Sequence, residues 1–278
     1  MKFTSLPPLP LSQWRPTRDA LHAYCRVLGK IRRSLTPPEK HWWHTSLRVQ
    51  LNGLSTSAIP IPGQEGDTVE MWIDLVDHQL VVQTAGKEVG KMELEGLSTS
   101  QFLEACLSSL AGWEIHPEID RTLFQDLNPK VYDRTAAGDF WNALTRIDHI
   151  LQQFKADLPG ETSPVQFWPH NFDLALMWLS GRKIPGFDPE DEELSDEQIA
   201  FGFSTGDAGT PDAYLYVTVY PWPEDLVEAP LPEDAVWHTQ GWKGALLPYA
   251  SLILSNEPEA RLLEFLRAVY RTGSTHLR

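Results

Sequence analysis

Apolar residues recur at helical spacing in four stretches of the chain. From Thr17 to Leu35 the stripe is Leu21, Tyr24, Cys25, Leu28, Ile31 and Leu35, with Thr17 as the expected N-cap after Pro16 and Pro37-Pro38 as the stop. SQFLEACLSSLAGW puts Phe102, Leu103, Cys106, Leu107 and Leu110 on one face. GDFWNALTRIDHILQQFKADL does the same with Phe140, Leu144, Ile147, Leu151 and Phe154, and Gly160 lies just past its end. EARLLEFLRAVYR closes the chain as a last helix. Elsewhere the period is two. In VEMWIDLV, Val69, Met71, Ile73 and Leu75 alternate with polar or aromatic neighbours; QLVVQTAG and VGKMELEG follow as further strands. IAFGFSTGD runs as a strand into a turn, and in AYLYVTVYPWP, Ala213, Leu215, Val217 and Val219 alternate with Tyr214, Tyr216, Thr218 and Tyr220. HWWHTSLRVQLNG reads as a strand ending at Asn52-Gly53, and WHTQGWKGALLPY as a final strand or hairpin. SPVQFWPHNFDLALMWLSGR, from Ser163 to Arg182, reads as a Trp-Pro-His turn leading into a buried strand. The acidic run Glu190 to Glu197 reads as a solvated, mobile loop, with a lid over a cleft as its sharper role.

These elements predict an α+β fold, mainly antiparallel sheets flanked by helices. The order helix, strands, helix occurs twice, so the chain divides as 1–125 and 126–278, either as two pseudo-repeated halves or as one integrated domain. The junction falls where HPEIDRTLFQDLNPKVYD loses periodicity, and a duplicated arrangement would leave a cleft between the halves.

Composition narrows the function classes. A net charge of −15 over 278 residues argues against phosphate backbones and anionic lipid, which need a basic face. Pro7, Pro8 and Pro10 interrupt any signal-peptide core, and no stretch approaches the ~18 apolar residues that span a bilayer. Cys25 and Cys106 read as small core residues in a reducing, cytoplasmic setting. The 11 tryptophans fit either a core of large residues or a cavity with aromatic walls.

The candidate chemistry begins with His170 and Asp173. They stand on opposite faces of an extended chain and share a side only if Pro169 and Asn171 bend it. An imidazole with a carboxylate that fixes its tautomer is acid–base machinery; a turn histidine beside a backbone-bonding aspartate is its structural counterpart. His41 and His44 flank Trp42-Trp43 at a ligand-like spacing, but no metalloprotease helix motif and no paired cysteines accompany them, so no metal and no cofactor is expected. Arg182, at a strand end, suits a carboxylate or phosphate, or a salt bridge to one of the many acids. Asp207 suits a ligand contact or an Asx turn. GFSTGDAG lacks the P-loop lysine, and no serine sits in a nucleophile elbow.

The favoured reading is a small-molecule-binding protein. Trp42, Trp43, Trp168, Trp178, Tyr216 and Trp222 would be its apolar walls, with His170, Asp173 and Arg182 as polar groups. The alternatives are an enzyme using His170 and Asp173 as acid and base, with or without a metal held there together with His41 and His44, and a protein-interaction module with an aromatic surface.

HWWH at residue 41, FKADLPG, SPVQFWPHNFDLALMWLSGRKIP, the Gly202–Gly206 turn and LLPY followed by LLEFLRAVY resemble, over nearly the whole chain, an uncharacterised bacterial family catalogued as a domain of unknown function. The resemblance implies a soluble bacterial protein and no assigned activity. Ser204-Thr205 stands where that pattern has Trp-Pro, and relatives can carry a small residue in place of His170.

Overall fold

The stripe of the first helix begins earlier than its expected cap. The structure, a computed structural model, describes residues 5–61, 63, 66–84, 87–207 and 209–277. In it α1 (Leu11–Leu35) takes in Pro16. Buried Trp14, stacked on Phe140 at 5.2 Å, carries the apolar face back past the proline. Pro16 is the sixth residue of the helix, where its ring removes the bond to the Ser12 carbonyl and crowds that oxygen. Thr17 is therefore no cap; its Oγ1 accepts the Asp133 N–H at 2.9 Å.

Two compact units divide the chain: Ser12–Trp141 with Phe167–Phe172, and Met1–Leu11 with Asn142–Gln166 and Asp173–Arg278. The 125/126 division falls inside the first of these.

In the first unit, β1 (Arg48–Val49), β2 (Gly53–Ser55), β3 (Ile59–Pro60), β4 (Thr68–Asp74), β5 (Gln79–Thr84) and β6 (Lys87–Glu93) form an antiparallel sheet in the order β1-β2-β4-β5-β6, with β3 on β4. Val69, Met71 and Ile73 of β4 are buried, as the period of two requires. The helices α1 and α2 (Thr99–Ala111) meet in this unit, their Tyr24 and Phe102 rings stacked at 4.5 Å. Ser98 and Gln101 cap α2 reciprocally. Cys25 and Cys106 are buried free thiols on these two helices, and burial raises both above the usual thiol range.

One expected strand is not there. Lys40–Thr45 is a tight 3₁₀ segment in which His41 (φ 49°, ψ 31°) and Trp42 (φ 62°, ψ 21°) are both left-handed. Consecutive left-handed residues curl the chain, so it turns extended only from Ser46 and the strand is cut to the two residues of β1.

The helix α3 (Arg134–Asp157) leads into β7 (Glu161–Thr162), and β8 (Gln166–Trp168) leads into the turn at 169–172. In the second unit, β9 (Asp173–Lys183), α4 (Glu192–Ser195), β10 (Asp196–Ser204), β11 (Tyr214–Tyr220), β12 (Val236–His238), β13 (Gly244–Pro248), α5 (Tyr249–Ile253) and α6 (Pro258–His276) complete the chain. Its sheet is antiparallel, in the order β12-β13-β11-β10-β9-β7. The register puts Trp178, Ile199 and Val219 in one row and Leu176, Phe201 and Val217 in the next. This apolar face meets the helices: Phe154 touches Phe201 edge-on at 4.8 Å, and Trp178 meets Tyr270 at 5.3 Å. At Gly273 α6 comes so near the sheet that a Cβ would lie 2.8 Å from Val219. The acidic run is not a loose loop. Asp191 caps α4 with its carboxylate, Ser195 and Asp196 are buried, and Lys183 Nζ pairs with Asp196 at 2.6 Å. The fold is α+β, as the patterns predict.

Candidate functional site

On the second unit's sheet, β9 carries a bulge. Leu179 pairs with Gln198 and Lys183 with Asp196, so Ser180, Gly181 and Arg182 together oppose Glu197. Gly181 takes φ 81°, which glycine adopts without strain. The bulge turns Ser180 and Arg182 onto one acceptor: Glu197 Oε2 receives Ser180 Oγ at 2.9 Å, Arg182 Nε at 2.9 Å and Arg182 Nη2 at 2.6 Å. Beside this pair lies a cleft of about 240 Å³ lined by Arg182, Glu197, Pro221, Trp222, Pro223, His276 and Leu277. Trp222 is held edge-on by Trp237 at 6.1 Å and overlain by Lys243 Nζ at 5.8 Å. His276 donates from Nδ1 to the Thr272 carbonyl at 2.9 Å, and its Nε2 lies 3.6 Å from Asp225. Arg182 and Trp222, singled out from sequence, thus share one cleft. Glu197, Pro221, Pro223 and His276 were missed: Glu197 lies in the acidic run, and nothing in the helix period marks His276.

The sheet face opposite the helices bears a second polar group. Asp173, Ser204 and Tyr214 stand in one register row, and Ala175, Gly202 and Tyr216 in the next. Tyr216 on β11 crosses β10 and donates to Asp173 Oδ2 on β9 at 2.5 Å. It passes over Gly202, where a Cβ would lie 2.4 Å from its ring. So Gly202 is a strand residue making room for a ring, and the turn expected at Gly202 begins later, with Gly206 at φ 97°. Trp242 packs on this patch, 5.9 Å from Tyr214 and 6.2 Å from Tyr216. Asp207 makes the Asx turn, accepting from the Gly209 and Thr210 N–H groups, and takes the Tyr214 hydroxyl at 2.7 Å.

Asp173 is buried, and its Oδ1 has no hydrogen-bond partner among the described residues. Burial pushes its carboxyl up to about 6, against the smaller opposing effect of the Tyr216 hydrogen bond. A carboxyl raised in the folded state keeps its proton to higher pH than in the unfolded chain. Its contribution is therefore fully present below about pH 4 and lost as pH rises toward 6. Asp173→Asn stays neutral at every pH. The stability of this variant relative to wild type is expected to improve by about 2–3 kcal/mol between pH 4 and pH 7.5. Urea unfolding at the two pH values measures it; a difference that does not change with pH contradicts the assignment.

The remaining sequence candidates have other settings. Trp178 is core, and its Nε1 donates to the Pro159 carbonyl at 2.6 Å. In the first unit, residues 169–172 bend the chain, with Phe172 at φ 58°. His170 is exposed there, edge-on to Trp168 at 5.6 Å, and its carbonyl accepts from His22 Nε2 at 3.1 Å. Burial lowers the pKa of His22. His41 stacks on Trp43 at 6.2 Å and Trp42 on His44 at 5.7 Å. His44 Nδ1 accepts the Glu39 N–H at 3.1 Å. Among the described residues no three of His, Cys, Asp and Glu gather as metal ligands, and no helix is long and apolar enough to cross a membrane.

No curated protein and no solved structure matches the chain. Residues 6–278, nearly all of what has been described, match the family described as a family of unknown function (DUF5996), and the chain belongs to it.

Proposed function

We propose that this protein is a cytoplasmic small-molecule-binding protein whose ligand sits in the Arg182–Trp222 cleft. One observation carries the reading: two residues 40 positions apart, chosen from sequence as ligand contacts, line the same cleft. Its volume of about 240 Å³ is just under the ~300–1,000 Å³ of pockets for drug-sized ligands, which suits a metabolite. Arg182 is already matched by Glu197, so this pair offers no net charge. Trp222 and the two prolines then favour a flat, near-neutral ring compound that accepts hydrogen bonds from the cleft's rim.

A thermal-shift screen of small ring-containing metabolites tests this. At a hundredfold excess over Kd, binding stabilises by about 2.7 kcal/mol, so at least one compound is expected to raise the melting temperature by several degrees. Trp222→Ala and Arg182→Gln should each abolish the shift. A shift that survives both variants, or the absence of any stabilising compound, counts against the reading.

Catalysis is a second reading, favoured by Asp173: a buried carboxyl near pH 6 with one oxygen unengaged and a tyrosine on the other is equipped for proton transfer. On that reading Asp173→Asn ends turnover and leaves binding in the cleft intact.

A further inference from the structure

The Arg182–Glu197 pair is engaged on one side only. An arginine beside a carboxylate ordinarily spreads two parallel N–H groups over both oxygens. Here Arg182 Nε and Nη2 both go to Glu197 Oε2, at 2.9 Å and 2.6 Å, and Ser180 Oγ donates to that same oxygen at 2.9 Å. Glu197 Oε1 accepts no hydrogen bond among the described residues, although its side chain is only 17% exposed. Arg182 Nη1 donates none among them either. An open acceptor and an open donor therefore stand on one ion pair that lines the cleft. On α6 the cleft has another acceptor. His276 Nδ1 donates to the Thr272 carbonyl, which can only accept, so Nε2 of the neutral ring carries the lone pair. Its neighbour at 3.6 Å is the Asp225 carboxylate, a further acceptor.

The cations at the cleft are already matched. Arg182 has Glu197 at 2.6 Å, and Lys243, over the Trp222 ring, has Glu224 at 2.8 Å. A phosphate or carboxylate would have to displace one of these internal partners, in a chain whose net charge is −15. A neutral ring avoids that cost. The open groups call for a ligand rich in N–H donors, with a ring acceptor beside one of them. We infer that the cleft takes a neutral, amino-substituted nitrogen heterocycle, a free base rather than a nucleotide, whose ring lies on Trp222 and whose adjacent acceptor and amino group pair with Arg182 and Glu197. This rests on the ligand role proposed for the Arg182–Trp222 cleft, and adds which edge of the ligand is read. A site built to hydrogen-bond a ligand N–H rejects the analogue that lacks it, because the site's own polar group is then left unpaired.

The test is a calorimetric titration of the full chain with adenine, purine and 6-dimethylaminopurine. The compounds share one ring system, and only adenine carries exocyclic N–H donors. Adenine is expected to bind at least about tenfold tighter than the other two, the worth of one hydrogen bond to a charged group. Trp222→Ala should abolish that binding. In Glu197→Gln the amide oxygen accepts from Arg182 and the amide N–H groups take the open position, donor against donor. The preference for adenine over purine should then vanish, with near-ultraviolet circular dichroism reporting the variant's fold. The wild-type comparison decides alone if that variant does not fold. Purine or 6-dimethylaminopurine binding as tightly as adenine, or a preference that survives Glu197→Gln, overturns the inference; the cleft's ligand role stands if binding still depends on Trp222. No binding by adenine overturns it as well, and the cleft's role falls with it only if no ring compound stabilises the protein.

Discussion

Phe140→Ala is expected to lower the unfolding free energy by about 3–5 kcal/mol, the range for removing a fully buried phenyl ring. Phe140 is completely buried. It stacks on Trp14 at 5.2 Å and on Phe172 at 5.3 Å, and meets Phe167 edge-on at 6.4 Å. Phe167 and Phe172 bracket the turn bearing Trp168 and His170, and they touch each other at 5.1 Å. Alanine would leave a hole under both ends of that turn, with three rings losing their partner. Phe172 is left-handed, at φ 58°, and holds that conformation against this packing. Urea unfolding of the variant measures the loss. A cost below about 1 kcal/mol would show that the rings close the gap and that the turn does not depend on Phe140.

Gly202→Ala is expected to cost about 3 kcal/mol, combining overpacking with an unsatisfied buried polar pair. The new methyl would lie 2.4 Å from Cζ of Tyr216 and 2.5 Å from its hydroxyl oxygen. The ring must lift off β10, and the hydroxyl then leaves Asp173 Oδ2. Asp173 already has Oδ1 unpartnered among the described residues, so it would lose its tyrosine donor in a buried place. Tyr216→Phe removes the hydroxyl alone and isolates that share of the loss. In the double variant the two costs should fall short of additive, because both act through one hydrogen bond. Additive costs would show that the glycine's role is separate from the Asp173–Tyr216 contact.

Much of the scaffold could be read in the sequence, for a physical reason. Elements with one apolar face declare their period. The stripe of α3 through Leu144, Ile147, Leu151 and Phe154 is buried throughout, and in β11 Leu215, Val217 and Val219 are buried between half-buried Tyr216 and Thr218. The fold class follows from such stretches. What escaped has no period. The left-handed pair His41-Trp42 is set by tertiary packing, and nothing in HWWH forbids a strand. Pro16 looked like a boundary because a proline usually is one, yet the helix runs through it, with Trp14 buried on its N-terminal side.

The same contrast governs the sites. Arg182 and Trp222 were legible as a charged strand end and an aromatic between prolines. Their meeting in one cleft depends on the bulge at Gly181 and on the path of β11, which no local spacing encodes. Asp173 and Tyr216 were each legible as candidates; their pairing across 43 positions was not, and Gly202, which lets the two meet, looked like turn chemistry.

The central claim is that the Arg182–Trp222 cleft is where a ligand sits. The most direct measurement is a crystal structure of the full chain with the most stabilising screened compound. The account predicts the compound's ring against Trp222, with one of its acceptors within hydrogen-bond distance of Arg182. A compound bound elsewhere, with those two side chains in solvent, would contradict it.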